Sequence, residues 1–318
     1  ISIDLDNYIE LKRNNIKILS EIDEMDLLLA KIMYDIKTKQ NFGKSDSSLL
    51  KLIKTKYGKI SKEKNLINSP RFRIRLFKMY SRLLLQENDY KSLEEFLMES
   101  YNDFLKVDLF DRSNHDEKLT LLTYLTNCLY KTKKYKKSLK YSEELLSGMK
   151  EYDYFLYDKY LFYYYNILVL NFAKTDKEKA LYYLNKASRS EVIKKLPSYN
   201  AFIYLNRSLI YYYEDNFKES QKNIARLIMQ KDFLLLDKSF QLKILITELM
   251  INILLLNENL TDKIILIKKN YNFLLLEKHH IREKKMIDLI LKKNYKDDIA
   301  VDKKDLLSII SDSASEDI

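Results

Sequence analysis

Apolar residues recur along the chain at the spacing of amphipathic helices arranged in pairs. In the clearest unit, Ala180, Leu184 and Ala187 fall at positions i, i+4 and i+7, which share one face of a helix. Thr175 and Glu178 stand before this face with the spacing of a capping box, so we expect them to start the helix. An apolar segment before the polar turn predicts the first helix of the pair. The two predicted helices are residues 163–173 and 177–187.

Weaker copies of this unit lie on both sides of it. Each copy has a turn that ends in an aromatic or equivalent residue, and a second helix is expected to begin there. The repeat is 40 to 45 residues long, which predicts long helices or long connections between pairs. The equivalent residues are Tyr90, Tyr135, Lys177, Phe217 and Leu260.

The second helix of the clearest unit resembles that of the tetratricopeptide repeat, which carries alanine, a large residue four positions later and alanine three positions after that. This resemblance implies an all-α fold: a right-handed superhelical solenoid of antiparallel helix pairs, with the first helix of each pair lining a concave wall. The period exceeds the family's length of about 34 residues. Leu168 replaces a small residue of the first helix, and it should push neighbouring helices apart. In the other copies the first alanine becomes Leu93, Ser138, Ser220 and Lys263.

We expect five helix pairs, with a helical segment before them and capping helices after them. Pro70 and Pro197 mark boundaries, because the residue before a proline is disfavoured in the helical conformation. The first segment is either separate or a further, more degenerate pair, and the last helices would cover the open end of the core. The predicted divisions are 1–70 for the N-terminal segment, 71–278 for the five pairs, 279–310 for the capping helices and 311–318 for a flexible acidic tail.

Composition supports a helical fold in a reducing compartment. Three glycines and two prolines are too few for an architecture rich in β-turns. A lone cysteine, Cys128, excludes an internal disulfide and cysteine-rich metal frameworks, so we expect a cytoplasmic protein. No apolar stretch reaches the length of about 18 residues that predicts a membrane span. Because the sequence begins with Ile1 rather than methionine, a further upstream segment remains open.

The net charge of +10 raises the question of a nucleic-acid partner. Two basic clusters could follow a phosphate backbone, but no helix-turn-helix, RNA-recognition or zinc-finger signature accompanies them. Surface lysine from a biased composition explains the charge better, so nucleic acid is the less favoured partner. The clusters are residues 131–140 and 278–285.

Signals for catalysis are poor, so we expect neither an enzyme nor a bound metal or cofactor. The sequence has no phosphate-binding glycine loop, nucleophile elbow or helical zinc-protease motif, and it has three histidines. His279 and Glu283 share a helix face, but a third ligand is lacking. An aspartate cluster at 297–302 has no second metal-binding helix to complement it.

The repeat register places a set of polar and aromatic residues on the concave wall. Asparagine inside a helix is unfavourable, so one asparagine per pair suggests a use for its amide, such as bonding to the backbone of an extended peptide. Similar asparagines bind the peptide backbone in peptide-sensing bacterial regulators, whose receptor domains are built from degenerate tetratricopeptide repeats. This chain resembles such a receptor domain in size and repeat number. The predicted peptide-binding residues are Asn127, Asn166, Asn206, Asn252, Tyr124, Tyr165, Tyr212, Arg75, Lys78 and Arg82.

These observations predict a scaffold or adaptor that holds an extended segment of another protein or a peptide. In this hypothesis the asparagines contact the partner's backbone, the tyrosines anchor its apolar side chains and the three cations favour an acidic end. Two alternatives remain: the sensing domain of a peptide-responsive transcription regulator, and a nucleic-acid-binding helical repeat. A membrane partner is not expected.

Overall fold

The computed structural model describes residues 4–39, 47–173, 175–255, 260–277 and 280–294. These residues form fifteen α-helices and two short 3-10 helices, and none of them is in a β-strand. The all-α class expected from the sequence is therefore confirmed. The chain divides into two compact units at the turn between Lys134 and Tyr135, within the second predicted helix pair. We describe each unit by itself.

The first unit is organised around its fourth helix. The helix α4 packs against α1, α2, α3 and α5, and α5 packs against α6. Its buried residues Phe72 and Leu83 join a core with Met25 and Ile32 of the long first helix. The helices are α1 (Leu5–Lys39), α2 (Ser47–Ile60), α3 (Lys64–Ile67), α4 (Pro70–Gln86), α5 (Tyr90–Lys106) and α6 (His115–Lys131).

The second unit is a succession of helices in which each long helix packs against the next. In addition, α9 packs against α11, and α13 packs against α15. The helices are α7 (Tyr135–Tyr154), α8 (Tyr157–Phe172), α9 (Lys177–Arg189), α10 (Glu191–Lys194), α11 (Tyr199–Tyr213), α12 (Phe217–Ile228), α13 (Lys238–Leu254), α14 (Leu260–Leu275) and α15 (Ile281–Asn294).

The predicted helix starts agree with the structure. The helices α5, α7, α9, α12 and α14 begin at the five residues taken as equivalent in the repeat. The helix α4 also begins at Pro70, and the Oγ of Ser69 accepts a hydrogen bond from the N–H of Phe72. Proline suits this first helical position because its missing N–H has no partner within the helix.

The same turn joins the two helices in three of the pairs. Asn88, Lys133 and Asp215 each adopt a left-handed conformation, with φ of 55°, 62° and 54°. In the first pair the N–H of Asp89 then bonds to the carbonyl of Leu84 at 3.0 Å, and corresponding bonds close the other two turns. This is the Schellman arrangement, which satisfies carbonyl groups at the end of a helix. The same turn conformation therefore recurs at three of the five predicted positions.

The third pair differs from the prediction in one detail. The residue that caps α9 is Asp176, whose side chain accepts a hydrogen bond from the N–H of Lys179. Thr175 instead donates to the carbonyl of Asn171 at 3.3 Å, so the expected capping box with Glu178 does not start this helix. A carboxylate is the stronger acceptor for the first N–H groups of a helix, and it also complements the helix dipole.

Small residues at the predicted alanine position let paired helices approach closely. Ala180 is fully buried in α9, as predicted, together with Leu184 and Ala187. In the next pair Ser220 takes this position, and its hydroxyl lies 2.9 Å from the hydroxyl of Ser208 on the facing helix. Each serine also donates to the other's backbone carbonyl, so both hydroxyls are satisfied within the interface.

Some predictions lie outside the described residues. They are the second capping helix near 303–310, the acidic tail 311–318, the aspartates at 297–302 and His279. The first capping helix is present as α15. Within the described ranges no helix is both long and apolar enough to cross a bilayer.

Candidate functional site

A pocket of about 310 Å³ lies in the second unit between α11, α13 and α15. Two of these helices, α11 and α13, are the first helices of predicted pairs, and α15 is the capping helix that follows them. Two of the three helices around the pocket are therefore ones that the predicted repeat register assigns to the concave wall.

The helix α13 contributes most of one wall through a single face. Lys243, Ile246, Thr247 and Met250 line the pocket at positions i, i+3, i+4 and i+7. Residues with this spacing lie above one another on a helix, so they present one continuous surface. The adjoining face of α13 is buried, with Leu242 and Leu249 in the core of the unit, and Ile246 of the pocket wall packs in the same core.

A buried glutamine holds α13 in position. Gln241 is completely buried, and its amide donates to the carbonyls of Leu234 and Leu236 at 3.1 and 2.7 Å. Its carbonyl oxygen accepts from the hydroxyl of Tyr271 at 2.7 Å and from the ammonium of Lys238 at 3.2 Å. The side chain thus uses its full hydrogen-bonding capacity. It ties the start of α13 to the preceding segment and to α14.

The pocket surface is largely apolar and adaptable. Leu209 and Tyr212 contribute from α11, Met250 from α13 and Met286 from α15. Methionine is unbranched and polarisable, so a pair of methionines can adjust to ligands of different shape. The hydroxyl of Ser208 is already bonded to Ser220, which leaves little polar capacity on this wall.

Three charged side chains complete the lining: Lys243, Arg282 and Glu283. Glu283 is only 8% exposed, and its Oε2 has no hydrogen-bond donor among the described residues. Nδ1 of His280 lies 3.6 Å from this oxygen, beyond the distance of a direct hydrogen bond. Burial alone would raise the pKa of Glu283, but His280 and Lys243 outweigh it and lower the pKa. The pocket therefore contains a carboxylate whose bonding capacity is not filled.

Tyr212 is the one predicted binding residue that lines this pocket. It is half-buried, and burial raises the pKa of its hydroxyl, which therefore remains protonated at neutral pH. Tyr165 and Asn166 are half-buried on α8 and do not line the pocket. They belong to the same unit and remain predicted contacts.

Two members of the asparagine ladder serve the fold. Asn206 and Asn252 are 7% and 3% exposed, and each donates its amide to the carbonyl four residues earlier in its own helix. The carbonyl oxygen of Asn252 also accepts from Gln221 at 2.6 Å. The amide N–H groups of both residues are therefore bonded within the chain, and their contact with a partner stays a prediction. A helical asparagine buried among side chains can satisfy itself by bonding backward along its helix.

The predicted residues of the first unit are paired with one another or with nearby side chains. Lys78 forms an ion pair with Glu117 at 2.5 Å, and Arg75 lies 3.4 Å from Asp26. The guanidinium of Arg82 lies over the ring of Tyr124, 5.4 Å from its centre. Asn127 is half-buried. The structure therefore brings Arg82 and Tyr124 together, while the cations already have intramolecular partners.

Most of the pocket residues were not singled out by the sequence. In the sequence, Arg282 belongs to a basic cluster that is expected at the surface, and Glu283 shares a helix face with His279. The available signal was the α13 face, where Lys243, Thr247 and Met250 mix charged, polar and apolar residues on one helical stripe. A stripe of this kind is unusual for a face that packs in a core.

Comparison of the chain with known protein families, with curated proteins and with solved structures found no match. Among the described residues no group of three or more histidine, cysteine, aspartate or glutamate side chains is placed to hold a metal ion.

Proposed function

We propose that the chain is a helical-repeat binding module that holds a peptide or an extended segment of another protein. In this proposal the antiparallel helix pairs form a right-handed solenoid of the tetratricopeptide kind, and the first helices carry the binding surface. The observation that carries the proposal is the pocket between α11, α13 and α15. Repeat proteins use the surface created by stacked units for binding, and this pocket lies on the helices that would form it.

The chemistry of the pocket suits a peptide. Apolar side chains from three helices offer a site for one anchoring residue, with Tyr212 providing both a flat apolar surface and a hydroxyl. Lys243, Arg282 and Glu283 supply charges of both signs beside it. A few placed polar groups around an apolar floor are typical of sites that bind and orient a ligand.

Selection from a random peptide library tests this function. Peptides selected on the wild-type chain are synthesised, and their affinities for defined variants are measured by fluorescence polarisation. Met250→Lys places a charge in the pocket and should weaken binding at least tenfold. Met229→Lys is the matched control, because Met229 is 82% exposed and does not line the pocket.

The control variant should bind like the wild type, and both variants should retain the wild-type helical signal in circular dichroism. Failure to select any peptide, or equal binding of selected peptides to Met250→Lys and wild type, would contradict the proposed site.

A further inference from the structure

The pocket is small for an extended peptide, and this restricts what it can hold. Its volume of about 310 Å³ lies at the lower end of the range for ligand sites, about 300–1,000 Å³. A cavity of this size encloses one or two residues rather than a long segment. The charged side chains that line the pocket must therefore be paired with charged groups that lie within one or two residues of the ligand.

Glu283 would be stabilised by a positively charged hydrogen-bond donor on the ligand. Its carboxylate is buried, and Oε2 has no hydrogen-bond donor among the described residues, with Nδ1 of His280 standing 3.6 Å away. A buried carboxylate is stabilised by charge-assisted hydrogen bonds, and leaving it unfilled is costly. The charge of Lys243 is close enough to lower the pKa of this carboxyl group. An ammonium group of a ligand would provide the missing donor.

Lys243 and Arg282 would be stabilised by an anionic group on the ligand. Both line the pocket, and the Nε of Arg282 is buried without a hydrogen-bond acceptor among the described residues. A ligand that carried only an ammonium would meet two cations and one carboxylate, which is a net repulsion. A ligand carboxylate within reach of the two cations removes this repulsion. The arrangement therefore fits a small zwitterion better than a simple cation.

The apolar part of the lining sets the third requirement. Met250 and Met286 face the pocket from two helices, and Leu209 and Ile246 extend the same surface. Methionines at a binding surface accept aliphatic side chains of varied shape. The ligand should therefore carry at least one medium-sized aliphatic side chain between its charged ends.

We propose that this pocket binds an apolar dipeptide or apolar α-amino acid by both free ends. Its ammonium binds Glu283, its carboxylate binds Lys243 and Arg282, and its aliphatic side chains lie against Met250 and Met286. This proposal rests on the proposed peptide-binding function and specifies the ligand class of the same site.

Calorimetric titration of the full chain with a matched set of small ligands tests the proposal. The probes are L-leucyl-L-leucine, its N-acetyl form, its C-terminal amide and free L-leucine. The unmodified dipeptide should bind, and blocking either end should weaken binding about ten- to a hundredfold, as expected for loss of a charged hydrogen bond. Comparison of the dipeptide with free leucine shows which of the two ligand lengths fills the pocket.

Two variants assign each charged end to its side chain. Glu283→Gln should weaken the unmodified dipeptide as much as N-acetylation does, and it should not weaken the acetylated probe further. Lys243→Gln should weaken binding of the unmodified dipeptide as much as the C-terminal amide does, and it should not weaken binding of the amide probe further. The controls are Glu191→Gln and Lys222→Gln, which change charges on exposed ion pairs away from the pocket and should leave binding unchanged.

The outcomes separate this proposal from the broader function. If the blocked dipeptides bind as tightly as the free one, recognition of the ends is overturned while peptide binding stands. If longer selected peptides bind through Met250 but no probe does, the ligand class is overturned and the function stands. If neither the probes nor any selected peptide binds, both proposals fail. The comparison of wild-type probes is decisive even if Glu283→Gln does not fold.

Discussion

Replacing Gln241 by leucine should destabilise the second unit strongly, because this side chain makes four hydrogen bonds in a buried position. At a net value of about 1 kcal/mol each, their loss amounts to about 4 kcal/mol. Water can reach part of the Leu234 and Leu236 backbone, and the leucine gains apolar burial. We therefore expect a loss of about 3 kcal/mol in unfolding free energy.

A double-mutant cycle with Tyr271 isolates one bond of this network. The Tyr271 hydroxyl donates to Oε1 of Gln241 at 2.7 Å, so Tyr271→Phe should cost about 1 kcal/mol. The double variant should lose about 1 kcal/mol less unfolding free energy than the sum of the two single variants, because both substitutions remove the same bond. The assay is urea unfolding followed by circular dichroism.

Gln230 provides the matched control for this cycle. Its amide bonds to the carbonyl of Arg226 at an exposed site, so Gln230→Leu should change the unfolding free energy by less than about 0.5 kcal/mol. A cost for Gln241→Leu no larger than that of the control would refute the reasoning. Strict additivity of the Gln241 and Tyr271 variants would refute the assigned bond.

Three further predictions concern the turns and the titrating groups. Lys133 has φ of 62°, so Lys133→Gly should stabilise the chain by about 0.5–1 kcal/mol in urea unfolding and Lys133→Val should destabilise it. Burial raises the pKa of Cys128 to about 12. At pH 8 the thiol of the folded chain should therefore react with a disulfide reagent about a thousandfold more slowly than the thiol of the urea-unfolded chain. Similar rates in the two states would contradict this. Burial raises the pKa of Glu283, but His280 and Lys243 lower it by more, so the pKa in the folded chain is below its ordinary value. The ionised carboxylate therefore stabilises the fold above the unfolded pKa of about 4.3. That stability should disappear as the pH falls below this value, and unfolding measured from pH 3 to 6 should show a weaker pH dependence in Glu283→Gln; identical profiles would refute it.

The positions of the helices could be predicted because the turns carry local chemistry. Asn88 and Asp215 tolerate the left-handed conformation, and a capping side chain and an aromatic residue follow each of them in the sequence. Signals of this kind depend on a few adjacent residues, so no knowledge of the packing is needed. The exception was the α9 cap, where two adjacent polar residues, Thr175 and Asp176, competed for the same role.

The pocket could not be predicted because it depends on contacts between distant segments. Glu283 lies 40 residues after Lys243 in the sequence, and only the packing of α13 against α15 brings them to one cavity. The burial of Asn206 and Asn252 could not be predicted for the same reason. Sequence spacing gives the face of a helix, but it does not show whether a neighbour covers that face, as at Asn206 and Asn252.

Methyl NMR of the full chain with ¹³C-labelled methionine tests the central claim most directly. Leucyl-leucine is added to the labelled protein, and the methyl signals are followed through the titration. The account predicts saturable shifts of the Met250 and Met286 methyls, while the exposed Met229 methyl stays unchanged. Shifts confined to methionines outside the pocket, or no shift at Met250 and Met286 with the dipeptide or with selected peptides, would contradict it.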